Sequence, residues 1–239
     1  MRKKRVTIYQ KRWHIAATLL IIAVPFAFLL VFSRFAHIAT GKLLKDTFVS
    51  LLRIAIAYAV AAPLGWMFAA LFYNGRRATV ALPIFDVLQS LPTFAALPLA
   101  ITFLGGSNLI IIFFLALEII WPIFFSVVSS LKLIHREWEE AVEVSGLRKY
   151  HYLRYFLWPA SIPSFVTGSI VGLGNGWEGL IALEIIIGVN MGLGGFFQTF
   201  SGNPTITAFG ILGFLIIIFT INKLVWLPLL EQSHHGIEE

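Results

Sequence analysis

The sequence predicts an all-α membrane protein with six transmembrane helices. Of its 239 residues, 58% are hydrophobic and only 13% are charged, a balance that does not suit a water-exposed surface. The hydropathy pattern contains six apolar runs of about 20 residues or more, the length that an α-helix needs to cross a bilayer. Cysteine is absent, which excludes disulfides, thiolate metal sites and cysteine nucleophiles.

The predicted spans nearly fill the chain. They cover residues 13–33, 47–73, 79–104, 109–131, 159–188 and 205–229. The first follows a basic segment, as a signal peptide would, but its apolar stretch is too long for one and no small-residue cleavage site follows, so we predict a retained helix.

Three parts of the chain follow from these spans. Residues 1–46 comprise an N-terminal cytoplasmic segment, the first helix and an outer loop. Residues 47–230 form a core of five transmembrane helices with a cytoplasmic loop at 132–158, and residues 231–239 are a cytoplasmic tail. No low-complexity segment or repeat array interrupts them.

The distribution of lysine and arginine predicts the orientation. With the N-terminus inside, 13 of the 18 cations lie on the inner side, and the outer loops carry only three, Arg34, Lys42 and Lys45. Cytoplasmic loops of membrane proteins carry such an excess, so we expect both termini in the cytoplasm. Arg53 and Lys223 lie within spans but about two turns from an end, where their long side chains can snorkel to the interface.

Carboxylates within the spans are candidates for a solute path, because each costs at least about 2.5 kcal/mol at mid-bilayer unless it faces a partner, a cavity or an end. Asp86, with Gln89 one turn away, either lines an inner vestibule or caps a helix. Glu118, near the middle of the fourth span, either lines a path or bonds to a neighbouring helix. Glu178 and Glu184 point to different faces of the fifth span. We take Asp86, Gln89, Glu118 and Glu184 as candidate path residues.

Three glycines in the fifth span form a stripe of small residues. They recur at i, i+4 and i+8, as Gly168, Gly172 and Gly176. Small residues at this spacing let helix backbones approach closely, so helix packing is the favoured interpretation. We expect the stripe to pack partly against a second copy of the chain.

The loop between the fourth and fifth spans contains a second helical pattern. Residues 137–146 predict a short helix that ends at Gly146, a residue suited to the left-handed cap position. The following residues, 147–158, mix cations with aromatic rings, as is typical of a segment at the lipid headgroups. From these residues alone, an interfacial hairpin and a helix that docks on a partner fit equally well.

The spacing within this loop resembles that of a known family. Glu140-Ala141-Val142, Gly146 and Phe156-Leu157-Trp158-Pro159 resemble the E-A-A-x3-G-x9-I-x-L-P loop of permease subunits from binding-protein-dependent ABC importers, which also lies between the fourth and fifth spans. Val142, Phe156 and Trp158 depart from that pattern but remain apolar. The resemblance implies an ABC importer type I permease fold, in which the 137–146 helix sits in a cleft of an ATPase subunit through Glu140, Ala141 and Gly146.

Further motifs are similar to those of the nitrate/sulfonate/taurine-type branch. Residues 50–53 resemble its S-L-x-R motif, and residues 91–99 resemble its P-x-x-A-x-x-P-L stretch. Trp177 with Glu184, followed by Gly192-Leu193-Gly194, is similar to its W-x6-E and G-x-G motifs. The resemblance covers roughly residues 47 to 225 and leaves the substrate open.

The resemblance implies a transmembrane subunit of an ATP-driven importer in the inner or plasma membrane, without an ATPase site of its own. The implied partners are a cytoplasmic ATP-binding subunit, an extracytoplasmic solute-binding protein, a second permease chain (identical or related) and membrane lipid, but no nucleic acid. ATP and magnesium would bind to the partner ATPase. Gly41-Lys42 lacks the rest of a phosphate loop. The histidines lack metal-ligand spacing, so we expect no catalytic residue, metal or cofactor here.

Two other classes of protein are alternatives. A self-contained secondary transporter or channel would use Glu118 and Asp86 as an ion relay, but we detect no inverted repeat between the two halves. A membrane enzyme would need convergent polar groups, which only the 132–158 loop offers. If all four acids in the spans are ionised, they suit an anionic solute poorly, but pairing of these acids with Arg53, or their protonation, is an alternative. Small organic cations, heterocyclic vitamin precursors and anions all remain open.

Overall fold

The protein is a bundle of α-helices in the computed structural model, which describes residues 8–134, 138, 140, 142, 144–147 and 150–235, and no β-strand occurs among these. The helices are α1 (Ile8–Phe35), α2 (Thr40–Phe72), α3 (Gly75–Gln89), α4 (Thr93–Leu104), α5 (Asn108–Lys132), α6 (Tyr150–Ile187), α7 (Leu193–Thr199) and α8, in which Pro204–Ile221 continues through Asn222–Trp226 into Leu227–His235.

Five helices are long and apolar enough to cross a membrane, and α3 with α4 makes a sixth span if the two count as one. The expectation of six spans is confirmed in this form. The predicted third span is not straight, because α3 and α4 meet at an angle of 83°. Pro92, which has no N–H to donate, immediately precedes α4 in an extended conformation with ψ of 94°, so α3 does not continue into α4 as one helix.

The centre of the bundle is α5, which lies between α2 and α6. Small residues on both neighbours make this possible. On α2, Ala57, Ala61 and Ala69 are completely buried, and a Cβ atom on Gly65 would lie 3.0 Å from the carbonyl oxygen of Ile120. Their i, i+4 spacing forms a stripe that lets the backbones of α2 and α5 approach closely. The glycines of α6 allow the same close approach between α6 and α5.

A second, smaller apolar cluster joins α1, α8 and the short helix α7 to the edge of the core. Leu29 and Phe32 of α1 pack with Leu43 of α2, Phe196 of α7 and Ile217 of α8. The helix α7 lies in the glycine-rich segment between α6 and α8. Within this cluster, the ring centroids of Phe196 in α7 and Phe32 in α1 are 5.9 Å apart.

Two helices contain a π-helical segment two residues before a proline. Leu153–Leu157 precedes Pro159 in α6, and Asn222–Trp226 precedes Pro228 in α8. A proline ring removes a hydrogen-bond donor and crowds the carbonyl of residue i−4, so the wider turn lets each helix continue. As a result, α6 starts at Tyr150, nine residues before the predicted span.

Candidate functional site

A fully buried carboxylate, Glu184, lies at one end of the bundle. This end carries residues 36–39, 105–107 and 188–203, which the charge pattern predicts to face outward, and we call it the outer end. Glu184 is 0% exposed and forms an ion pair with Arg53, which is 5% exposed. Its carboxylate also accepts hydrogen bonds from Ser50 Oγ at 2.7 Å and from the backbone N–H of Gly194 at 2.7 Å. The charge is therefore both paired and hydrogen bonded, as burial requires.

One face of α2 holds the segment that follows α6. Asp46, Ser50 and Arg53 are spaced i, i+4 and i+7, so they lie on the same side of the helix. The backbone N–H of Gly192 donates to Asp46 at 3.2 Å, and that of Leu193 donates to Ser50 at 2.9 Å. Arg53 donates to the carbonyl of Met191 at 2.8 Å. Three successive residues after α6 are thus fixed to α2.

The first residue of α5 completes this network. Asn108 Oδ1 accepts hydrogen bonds from Arg53 Nε at 3.2 Å and from Arg53 Nη2 at 2.7 Å. We call Asp46, Ser50, Arg53, Asn108, Glu184 and the backbone of residues 191–194 the outer clasp. It ties α2, α5, α6 and the start of α7 together at one point.

Two glycines are required where the backbone approaches the clasp. Gly192 has φ of +125°, a conformation that side chains disfavour, and a Cβ atom there would lie 2.6 Å from Arg53 Nη1 and from both carboxylate oxygens of Glu184. A Cβ atom on Gly194 would overlap the Glu184 side chain and lie 3.0 Å from the carbonyl oxygen of Ile181. The G-x-G sequence therefore allows the backbone to contact the ion pair.

The clasp brings together three motifs that are far apart in the sequence. It contains Ser50 and Arg53 of S-L-x-R, Glu184 of W-x6-E, and Gly192 and Gly194 of G-x-G. Arg53 does not snorkel to the interface as predicted, because it is buried against Glu184. Asp46 and Asn108 were not among the predicted site residues. The i, i+4, i+7 spacing of Asp46 with Ser50 and Arg53 was an available signal.

Glu184 differs in surroundings from the other candidate path residues. We grouped it with Asp86, Gln89 and Glu118, but its side chain is completely enclosed in the clasp. Its position on the inward face of α6 explains this, whereas Glu178 on the same helix is exposed. The different orientation of these two glutamates agrees with the prediction from helical rotation.

A cavity of about 470 Å³ lies where α3 and α4 meet, and we call it the central cavity. Gln89 and Glu118 both line it, together with Thr93 and Asn175. Asp86 lies beside it, since Gln89 Nε2 donates to Asp86 Oδ1 at 2.7 Å. The break between α3 and α4 thus brings three of the four candidate path residues into one neighbourhood.

Glu118 lies on α5 about 15 Å from the start of that helix, half the thickness of a bilayer core. In the part of the chain that the structure describes, its carboxylate has no hydrogen-bond or ion-pair partner. A Cβ atom on Gly179 would lie 3.6 Å from Glu118 Cγ, an ordinary van der Waals distance, so Glu118 packs beside α6 at this glycine. Pro122, one turn further along α5, also lines the cavity and cannot donate a hydrogen bond to the Glu118 carbonyl.

The glycine stripe of α6 packs against α5 of the same chain. A Cβ atom on Gly168 would lie 2.7 Å from Ile123 Cα, and one on Gly172 would lie 2.8 Å from the Ile119 carbonyl oxygen. For Gly176 the nearest atoms belong to the Ile119 side chain at 3.1 Å. These glycines do pack helices together, but the expectation that they pack against a second chain is wrong, because α5 already covers them.

The loop between α5 and α6 contains the expected helical turn and glycine cap. Trp138, Glu140, Val142 and Val144 are helical, and Gly146 has φ of +69°. A positive φ of this size is the left-handed conformation that ends a helix most easily at glycine. Ala141 lies outside the described residues. Among those described, no three His, Asp or Glu side chains are grouped so that they could hold a metal ion.

Comparison with known proteins places the chain in a family. Residues 61–227 match the family described as binding-protein-dependent transport system inner membrane component. The chain is 32% identical over 150 residues to the nitrate import permease protein NrtB of Synechocystis sp., a match that covers 62% of this chain and 54% of that protein.

Two further relatives carry other names. The bicarbonate transport system permease protein CmpB of Synechococcus elongatus is 27% identical over 63% of this chain and 55% of that protein. The putative aliphatic sulfonates transport permease protein SsuC of Bacillus subtilis is 25% identical over 73% of this chain and 62% of that protein. The matched region thus spans little more than half of these relatives. Because the family match covers more than half of this chain and contains α5, α6 and the loop between them, the chain belongs to the family of binding-protein-dependent transport system inner membrane components.

Proposed function

We propose that this chain is the membrane permease subunit of an ATP-driven importer and that it forms the solute path without hydrolysing ATP itself. The observation that carries this proposal is membership of the family through residues 61–227. Relatives named as permeases for nitrate, bicarbonate and sulfonates support a transport function. ATP and magnesium would be bound by a cytoplasmic ATPase subunit.

Coupling to the ATPase is assigned to the helix that ends at Gly146, with Glu140, Ala141 and Gly146 as the coupling residues. The exposure of its apolar residues supports this role, since Trp138 is 49% exposed and Val144 is 90% exposed. Exposed apolar side chains on a short helix outside a bundle are typical of a surface that a partner covers. The glycine cap fixes the direction in which the chain leaves this helix.

The path is assigned to the face that carries the central cavity, with Asp86, Gln89 and Glu118 in contact with the solute. Two permease chains, identical or related, would bring two such faces together around a two-fold axis. The outer end, where the clasp holds residues 191–194, would meet the extracytoplasmic solute-binding protein. In this arrangement both termini lie in the cytoplasm.

The test is reconstitution of the chain with an ATPase subunit and a solute-binding protein of this importer class. We expect stable association with the ATPase and uptake that requires ATP. Gly146→Val should abolish ATP-driven uptake, because a β-branched residue strains the left-handed cap. Gly146→Asn should retain most uptake, since asparagine tolerates this conformation.

The matched control is Gly202→Val. Gly202 is exposed at the outer end and a Cβ atom on it would meet nothing within 4 Å, so this variant should fold and associate with the ATPase as the unchanged chain does. Full transport by Gly146→Val would make the loop an interfacial hairpin. Uptake that follows an ion gradient and needs no ATPase would instead support a self-contained secondary transporter.

A further inference from the structure

We propose that the central cavity binds a small organic cation, preferably a flat ring that carries the positive charge, and that the imported solute belongs to this class. The class of the imported solute rests on the proposed function. Binding of a cation to the cavity does not depend on it and can be measured separately. Three properties of the cavity carry it: its aromatic walls, its single carboxylate and its size.

Aromatic rings from three helices form one wall of the cavity. Phe68 of α2, Phe85 of α3 and Trp121 of α5 all line it. The Phe68 and Phe85 rings are nearly parallel, with an interplanar angle of 12° and centroids 6.1 Å apart, and the centroids of Phe85 and Trp121 are 6.0 Å apart. The faces and edges of such rings stack on flat ligands, and their negative faces attract cations.

The ionisable lining of the cavity is acidic. Glu118 is its only acidic lining residue within the described part of the chain, and no described lysine or arginine lines it. Arg53, a buried cation, is committed to Glu184 at the outer end. A carboxylate near mid-bilayer needs an opposite charge or water, and a bound cation would supply that charge. An oxyanion would meet the carboxylate with no cation to offset the repulsion.

The size of the cavity also favours an organic solute. Its volume of about 470 Å³ falls within the range of roughly 300–1,000 Å³ typical of small-molecule sites. Gln89 and Asn175 add side-chain amides that donate and accept hydrogen bonds. Rings, one carboxylate and two amides together match a protonated or alkylated nitrogen heterocycle far better than a small inorganic anion.

The experiment uses the purified transporter, this chain with its ATPase subunit, in phosphatidylcholine nanodiscs. Binding of N-methylpyridinium chloride is measured by calorimetry and by the shift in melting temperature. Toluene supplies the same shape without charge, and sodium methanesulfonate supplies an anion. We expect N-methylpyridinium to bind about tenfold or more tightly than toluene, and methanesulfonate not to bind in the cavity.

The variant Glu118→Gln keeps the size of the side chain and should weaken N-methylpyridinium binding about tenfold. Glu231→Gln, the same change at an exposed position of α8, is the matched control and should bind as the unchanged chain does. If Glu118→Gln fails to fold, Asn175→Asp provides the opposite test. It adds a carboxylate at an exposed position of the cavity wall and should tighten binding of the cation.

Equal binding of N-methylpyridinium and toluene, unchanged binding in Glu118→Gln, or weaker cation binding in Asn175→Asp would overturn the inference. Methanesulfonate binding that depends on the residues of the cavity would overturn it as well. A transporter that imports only anions with ATP would refute this inference and leave the proposed function intact. A chain that binds the cation but associates with no ATPase would refute the proposed function alone.

Discussion

Arg53 on α2 and Glu184 on α6 are 131 residues apart in the chain, yet Nη1 of the arginine lies 2.5 Å from Oε1 of the glutamate inside the bundle. Burial of two charges is costly, and their attraction offsets that cost only when their remaining donors and acceptors are also satisfied. Ser50, Asn108 and the backbone of residues 191–194 satisfy them. The pair therefore fixes the relative positions of helices that the apolar core alone would allow to slide.

Removing one charge of this pair should strongly destabilise the fold. Glu184→Gln leaves Arg53 buried without a counter-charge, and we expect a loss of about 3–5 kcal/mol in the free energy of unfolding. Glu178→Gln, the same change at an exposed position of α6, should cost less than about 0.5 kcal/mol. Melting in detergent checks both.

In the Glu184→Gln background, Arg53→Met should cost less than it does alone, and equal costs would show that the two residues are not coupled.

The glycines of the clasp should not tolerate even a methyl group. Gly194→Ala pushes a Cβ atom into the Glu184 side chain, and Gly192→Ala adds backbone strain at a positive φ. We expect each to cost about 1–3 kcal/mol, which is typical of overpacking. Gly202→Ala, ten or fewer residues away and in open space, should be nearly neutral. Thermal melting of the three variants would contradict this account if Gly202→Ala were the most damaging.

The α6 stripe should matter for the folding of one chain and not for the pairing of two. Gly172→Leu places a large side chain where a Cβ atom already lies 2.8 Å from the Ile119 carbonyl oxygen, so we expect it to separate α5 from α6 and prevent folding. Gly174→Leu, on the open side of the same helix, should fold normally. Size-exclusion chromatography and melting distinguish the cases. If the Gly172→Leu chain melted normally but no longer formed dimers, the stripe would have to be assigned to the interface between two chains.

The predicted orientation can be tested with single cysteines, because the chain has none of its own. Ser145 lies in the loop between α5 and α6, Ser201 lies between α7 and α8, and both are exposed. In intact cells, a maleimide that does not cross membranes should label Ser201→Cys and leave Ser145→Cys unlabelled until the cells are opened. The reverse pattern would invert the topology.

The predicted positions of the polar groups were less accurate than the predicted spans. The prediction that Arg53 snorkels used its distance of about two turns from the predicted end of the span. That distance depends on where α2 starts. The helix begins at Thr40, seven residues before the predicted span, so Arg53 lies deeper in the bundle than the sequence indicated. Glu184 was predicted as a path residue from its position within the membrane. That position does not show which side of a helix is covered by neighbouring helices.

The sequence by itself determined the class of fold, the approximate spans and the glycine-capped turn at Gly146. Apolar length, the distribution of cations and the conformational freedom of glycine are local properties, and each acts within one segment. Only the tertiary structure decided that Glu184 pairs with Arg53 while Glu118 faces a cavity, and that the Gly168, Gly172 and Gly176 stripe packs on α5. These outcomes depend on which helices are neighbours and how each is rotated, and hydrophobic spans in lipid carry no amphipathic pattern strong enough to specify that rotation.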